Sequence, residues 1–134
     1  MKILLDTHIL VWTFSGDTRL GQKALDMINK NRDELLCSAA AIWEISVKHA
    51  HDPHAFSLTA EKMIQLCEDN GIKQLPVFFR HIPALDSLRR FESAPVHKDP
   101  FDRIMIAQAK SDNLLFMTHD SLLKYYDEPC ILFV

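Results

Sequence analysis

Glycine is scarce in this 134-residue chain, which has three, and its six prolines are scattered. No Gly/Pro/Ser-rich stretch is present that could serve as an interdomain linker, and no internal repeat or low-complexity tract appears. One domain spanning residues 1–134 is therefore expected. Cysteine is equally sparse. Cys37, Cys67 and Cys130 are widely spaced and flanked by apolar residues, which excludes a disulfide framework or zinc knuckle and predicts buried thiols in a reducing cytoplasm. A long hydrophobic run is missing too: the apolar stretch from Ile3 to Phe14 is broken by Asp6 and His8. It is too short to span a membrane and lacks a small-residue cleavage site, so neither insertion nor export is expected. Positive charge is not in excess, with 15 Lys and Arg against 18 Asp and Glu and a formal net charge of −3. That excludes gripping nucleic acid mainly by bulk charge. It does not exclude nucleic acid as a substrate, because cations bound at an acidic site would leave the remaining surface free to be basic.

The hydrophobic fraction of 48% is ordinary for a globular core. It is organised as short apolar runs alternating with helical spacing. Lys2 to Leu5, Leu35 to Ser38, Gln74 to Phe78, Leu114 to Thr118 and Cys130 to Val134 read as strands bounded by polar or turn residues. Gln22 to Lys30, Ala39 to His49, Thr59 to Asn70 and Phe101 to Asp112 carry apolar residues at helical spacing. Ser38 stands where it can cap the second of these helices, Thr59 opens the third, and Gly71 follows it. Strands alternating with helices predict an α/β fold: a three-layer α/β/α sandwich around a mostly parallel sheet of about five strands.

Four acids fall at or near the carboxyl ends of those strands. Asp6 follows the first, Glu44 lies about one and a half turns into the helix after the second, Asp102 opens the helix starting near Phe101, and Asp120 follows Thr118 closely. In an open α/β sheet that edge is where ligands bind. Carboxylates converging there repel and raise one another's pKa unless a cation neutralises them. Oxygen ligands of this kind suit Mg²⁺ or Mn²⁺, ions that activate water and stabilise an in-line phosphoryl displacement. Taken singly, each acid has an ordinary reading as a helix cap, turn former or solvated side chain.

With these residues placed, the chain resembles a PIN domain, and within that family the VapC-type toxin ribonucleases. The resemblance rests on Leu4-Leu5-Asp6-Thr7-His8, on Ser38-Ala39-Ala40-Ala41-Ile42-Trp43-Glu44-Ile45 with Lys48, on His97-Lys98-Asp99-Pro100-Phe101-Asp102-Arg103 leading into Ile106-Ala107-Gln108-Ala109, and on Thr118-His119-Asp120. It implies Mg²⁺-dependent cleavage of RNA, with Mn²⁺ as substitute, a homodimer, and inhibition by a cognate antitoxin protein. Asp6, Glu44, Asp102 and Asp120 match the family's acidic quartet, with Asp6 and Asp102 as the most direct metal ligands. Thr118 matches a hydroxyl position beside the fourth acid, and Thr7 and Asp99 are expected to support the ligands.

Asp99 and Asp102 compete for one role. The register with Ile106-Ala107-Gln108-Ala109 favours Asp102, leaving Asp99, before a proline, to cap the helix or to bind a ligand through water. Arg103, Lys48 and Lys98 are candidate phosphate contacts. Lys48, four residues after Glu44, is equally placed for an intrahelical ion pair, and Arg103 for a bridge to a carboxylate. Arg89 and Arg90 read as solvated charge. Trp12, Phe14 and Trp43 occur in apolar runs, so core or dimer packing is expected rather than base stacking. His8, His97 and His119 stand beside candidate ligands and are expected to support them or act as a base.

His49, His51 and His54, around Asp52-Pro53, replace the glycine and lysine expected there and read as a solvated loop, with Zn²⁺ or Ni²⁺ binding as the competing reading. Two other functions compete with the nuclease: a catalytically inactive PIN-like module that binds RNA or protein, and a signalling receiver domain. The receiver would need an acidic pair after the first strand and a phosphoacceptor Asp after the third, where this chain has Asp6 alone and Pro76-Val77-Phe78.

Overall fold

A computed structural model describes residues 1–134. Five strands, β1 (Ile3–Leu5), β2 (Leu35–Ser38), β3 (Lys73–Leu75), β4 (Leu115–Thr118) and β5 (Ile131–Phe133), form one sheet in the order β3-β2-β1-β4-β5. Every pairing is parallel, as the alternation of elements requires, because parallel neighbours need a crossover between them. The helices are α1 (Thr7–Ser15), α2 (Gln22–Lys30), α3 (Ala39–His51), α4 (Ala60–Asp69), α5 (His81–Asp86) and α6 (Pro100–Asp112). The architecture is the expected α/β sandwich. Ile3, Leu4, Leu5, Phe116 and Met117 of the central strands are fully buried, because a parallel sheet covered on both faces leaves no solvent side.

The strand order creates the functional edge. From β1 the chain winds to β2 and β3, then returns to the other side of β1 for β4 and β5. The connections leaving β1 and β4 therefore diverge, opening a crevice at their carboxyl ends. Leu5 is in register with Met117, which sets Asp6 level with Thr118.

Four elements depart from expectation, among them the short helix α5, which no local pattern marks. The apolar run Ile3 to Phe14 contains both β1 and α1, split at Asp6, whose carboxylate accepts from the Thr7 N–H, and α1 ends at left-handed Gly16 with φ 66°. A nearly continuous apolar run does not reveal where strand turns into helix. β3 ends at Leu75 instead of Phe78, since Pro76 has no N–H for the ladder. α3 continues to His51, so His49 and His51 belong to its last turn rather than to a loop. His49 Nδ1 lies 2.8 Å from the Phe56 carbonyl oxygen, while His51 and His54 are exposed. No helix is long and apolar enough to cross a membrane.

A buried polar latch ties three elements together beneath the crevice. Gln108, fully buried on α6, accepts at 2.6 Å from the Ser38 hydroxyl and donates at 3.1 Å to the Pro76 carbonyl. The same Ser38 oxygen accepts from the Ala40 N–H and so caps α3. The latch fixes the start of the helix that carries Glu44 relative to the one that carries Asp102.

Candidate active site

Asp6 leaves the end of β1, 1% exposed, and its carboxylate is held from two sides. Oδ1 accepts from the Thr7 N–H at 2.7 Å and Oδ2 from the Thr118 hydroxyl at 2.7 Å. Burial nevertheless outweighs these bonds and pushes its pKa up to about 7, with the nearby carboxylates of Glu44 and Asp120 adding to the rise. Asp102, 8% exposed in the first turn of α6, is pushed up to about 8, first by burial and then by Asp6, Asp99, Glu44 and Asp120. Acids from four separate segments of chain thus share one electrostatic neighbourhood.

Glu44, 5% exposed, has both oxygens occupied: Thr7 donates its hydroxyl to Oε1 at 2.6 Å, and Lys48 Nζ stands 2.7 Å from Oε2. The intrahelical ion pair is therefore formed. Asp120 accepts from the Leu122 N–H at 2.9 Å and caps the 3-10 turn Ser121–Tyr125. Its own N–H donates to the Thr118 oxygen at 3.1 Å, so Thr118 ties the carboxyl end of β1 to that of β4. Thr7 and Thr118 thus each donate a hydroxyl to one of the acids, Glu44 and Asp6 respectively.

Asp99 caps α6, its Oδ1 accepting from the Phe101 and Asp102 N–H groups at 2.9 and 3.2 Å, with Pro100 opening the helix. Asp99 thus holds the helix end, while Asp102 lies within electrostatic reach of Asp6, Glu44 and Asp120. Asp99→Ala is expected to cost about 1 kcal/mol of stability, read as a shifted denaturation midpoint with an unchanged slope. Loss of activity in Asp99→Asn with Asp102→Asn still active would reverse the two roles.

The histidines divide. His8 accepts the His119 N–H at Nε2 (3.0 Å), so in its neutral form it carries its proton on Nδ1, which lies 3.5 Å from Asp6 Oδ2. Burial lowers its pKa to about 4 and keeps it neutral. His97 Nδ1 lies 2.7 Å from the Tyr126 hydroxyl and Nε2 lies 3.3 Å from Asp102 Oδ2. Arg103 donates to that same phenol oxygen at 3.1 Å. The phenol can then give its proton to Nδ1, leaving the Nε2 proton for Asp102. Arg103 thus reaches Asp102 through Tyr126 and His97 rather than bridging to a carboxylate directly. Tyr126 escaped sequence reasoning because no local motif marks it.

Lys98 is exposed. Arg90, expected to be solvated, lies with its guanidinium 4.8 Å over the Tyr126 ring, and its Nε and one Nη are buried without a hydrogen-bond partner. Arg89 is paired with Glu128 at 3.7 Å. Trp12 and Phe14 pack against the core as expected. Trp43 does not enter the core: it is 63% exposed, because Glu44 and Ile45, next to it on α3, take the inward positions.

The donor set is chemically that of a hard divalent cation: four carboxylates, two of them buried acids without a cationic partner of their own. As they stand, no group of three or more His, Cys, Asp or Glu side chains lies at ligating spacing. An acid-lined crevice at the switch point of a doubly wound parallel sheet defines the molecule's class as an α/β domain with its ligand site at the strand ends. The PIN domain family model matches residues 3–129, and the chain belongs to that family.

No curated protein matches the sequence. Among solved structures, the chain resembles one in the crystal structure of VapBC2 from Rickettsia felis bound to a DNA fragment from their promoter. The TM-score is 0.74 at 11% identity, covering 100% of this chain and 99% of that one. It also resembles a chain of DNA-bound VapBC from Salmonella typhimurium (TM-score 0.70, 15% identity, coverage 99% and 98%) and one of a toxin–antitoxin complex from Klebsiella pneumoniae (0.64, 16%, 98% and 96%). At these identities the likeness is one of fold.

Proposed function

We propose that the chain is a Mg²⁺-dependent endoribonuclease that hydrolyses RNA phosphodiester bonds and acts as the toxin of a toxin–antitoxin pair. The observation that supports this reading is the pair of buried acids, Asp6 and Asp102, far apart in sequence but within electrostatic reach of one another and of Glu44 and Asp120. Buried carboxylates without cationic partners are costly unless a positive ion joins them. Asp6 and Asp102, assisted by Glu44 and Asp120, would hold Mg²⁺ or Mn²⁺. When bound, such a cation offsets the clustered negative charge and polarises the scissile phosphate.

The chain's own residues then do the rest. Thr118 and Thr7 hold Asp6 and Glu44 in fixed orientation. His97, set by Tyr126, orients Asp102. Lys98 and the Lys48 ammonium at the crevice rim offer positive charge to flanking phosphates, with Arg103 adding to the field from its place against Tyr126. The toxin reading draws on family membership and on the assemblies in which similar folds were solved; a cognate antitoxin and a homodimer belong to it. The free thiols Cys37, Cys67 and Cys130 fit action in the cytoplasm.

The inactive binding module remains the competing reading, favoured by the engagement of both Glu44 oxygens. The two readings separate in one assay. Purified chain is expected to cleave RNA with Mg²⁺ or Mn²⁺, to stop in chelator, and to lose cleavage in Asp102→Asn. Cleavage that continues in chelator would overturn the metal-dependent mechanism, and RNA binding with no cleavage under any divalent cation would establish the inactive module.

A further inference from the structure

Trp43 is the aromatic residue that the core leaves behind. More than half of its surface is open at 63% exposure, yet its indole is held by an edge-on contact with Phe101, ring centroids 4.9 Å apart and planes at 80°. Each ring is the immediate sequence neighbour of a crevice acid, Trp43 of Glu44 on α3 and Phe101 of Asp102 on α6. The two rings therefore meet where these helices flank the carboxylates. Lysines flank the acids: Lys48 on α3 lies within electrostatic reach of Asp99 and Asp102, and exposed Lys98 precedes Phe101 by three residues, while half-exposed Val47 lies one turn along α3 from Trp43. An exposed indole held in a fixed orientation by Phe101, with Lys48 on its own helix and Lys98 in the loop before α6, suits a ligand that carries flat π faces and phosphate charge.

We infer that Trp43, backed by Phe101, is a stacking platform for an unpaired RNA base beside the scissile phosphate. The inference rests on the nuclease reading above and deepens it. Stacking would bind RNA without adding positive charge, which matters for a chain whose net charge is −3, and it would tolerate different bases because every base has a π face. Trp43 would be a positioning residue, acting on substrate placement rather than on bond cleavage.

The chain has two tryptophans, so an Asp6→Asn, Trp12→Phe variant reports on Trp43 alone and does not hydrolyse its ligand. Oligoadenylate and oligouridylate are expected to quench its fluorescence, whereas an abasic oligoribonucleotide of equal length is not. In the Asp6→Asn background, Trp43→Ala should weaken oligonucleotide binding by roughly tenfold, and Trp43→Phe should restore most of the loss. In the active chain, Trp43→Ala should act mainly on KM. Binding that is unchanged in Trp43→Ala, or equal quenching by the abasic strand, overturns this inference and leaves the nuclease reading intact. Failure of any RNA to bind the chain with Trp43 present overturns both. A change of oligomeric state in Trp43→Ala by light scattering, with RNA binding unaffected, assigns the ring to a contact between copies and likewise overturns the inference.

Discussion

Asp6→Asn is expected to lower RNA cleavage by about 100-fold or more and, in the same molecule, to make the cation-free protein more stable at neutral pH. The two effects share one cause. Asp6 is 1% exposed, and its ionised form is disfavoured enough that its pKa stands near 7. As the proposed ligand it would contribute the negative charge that a divalent cation needs. Loss of even a supporting partner of a metal ligand costs 10–100-fold in many enzymes, so loss of the ligand should cost more. An amide keeps one oxygen to accept from Thr118 or Thr7 and carries no charge to bury. A gain on the order of 2 kcal/mol in the cation-free state at pH 8 follows, discounted because the amide cannot accept both bonds. RNA cleavage that survives in purified Asp6→Asn would remove Asp6 from the site. Reduced stability of that variant would show that its hydrogen bonds outweigh its burial.

The second large effect is the pH dependence of the cation-free protein. Asp6 and Asp102 have folded pKa values near 7 and 8 against about 4 for an exposed aspartate. Between those limits the folded chain holds protons that the unfolded chain releases. Stability therefore falls as pH rises from about 4 to about 8. His8 acts in the opposite sense: with a folded pKa near 4, it is neutral in the fold while the unfolded chain takes up its proton below about 6.5, so its contribution grows as pH rises to that point. Burial lowers His97 as well. The opposing terms partly cancel between pH 4 and 6.5, and the net fall is concentrated between about 6.5 and 8. Thermal melts in chelator should show the midpoint dropping across that window, and saturating Mn²⁺ should remove most of the drop, since the bound cation favours ionised carboxylates. A midpoint that is flat from pH 6.5 to 8 in chelator would contradict the burial of these acids.

The sheet and most helices were legible from local pattern. Strands such as Leu35 to Ser38 and Leu114 to Thr118 are short apolar runs with polar ends, and α2, α4 and α6 repeat apolar residues with helical period. α1 was not legible, because Ile3 to Phe14 is apolar on both sides of Asp6 and periodicity cannot separate a buried strand from a buried helix. α5 was hidden for a different reason. It is six residues long, too short to display a period, and its ordering comes from contact with α6 and from His81, whose Nε2 lies 3.0 Å from Asp112 Oδ2.

Asp6, Glu44, Asp102 and Asp120, the capping role of Asp99 and the Glu44–Lys48 pair are local properties. Each depends on a strand end, a helix start or a spacing of four residues, and a chain carries those in its own order. The support of Asp102 by His97 and Tyr126, the Gln108 latch between Ser38 and Pro76, the stacking of Arg90 on Tyr126 and the exposure of Trp43 are contacts across the fold. Tyr126 and His97 are 29 residues apart and Gln108 and Ser38 are 70 apart, and neither pair is bound by any periodicity. Which face of α3 turns outward follows from what packs against it, so the apolar character of Trp43 pointed inward while Glu44, a charged neighbour, took the buried position.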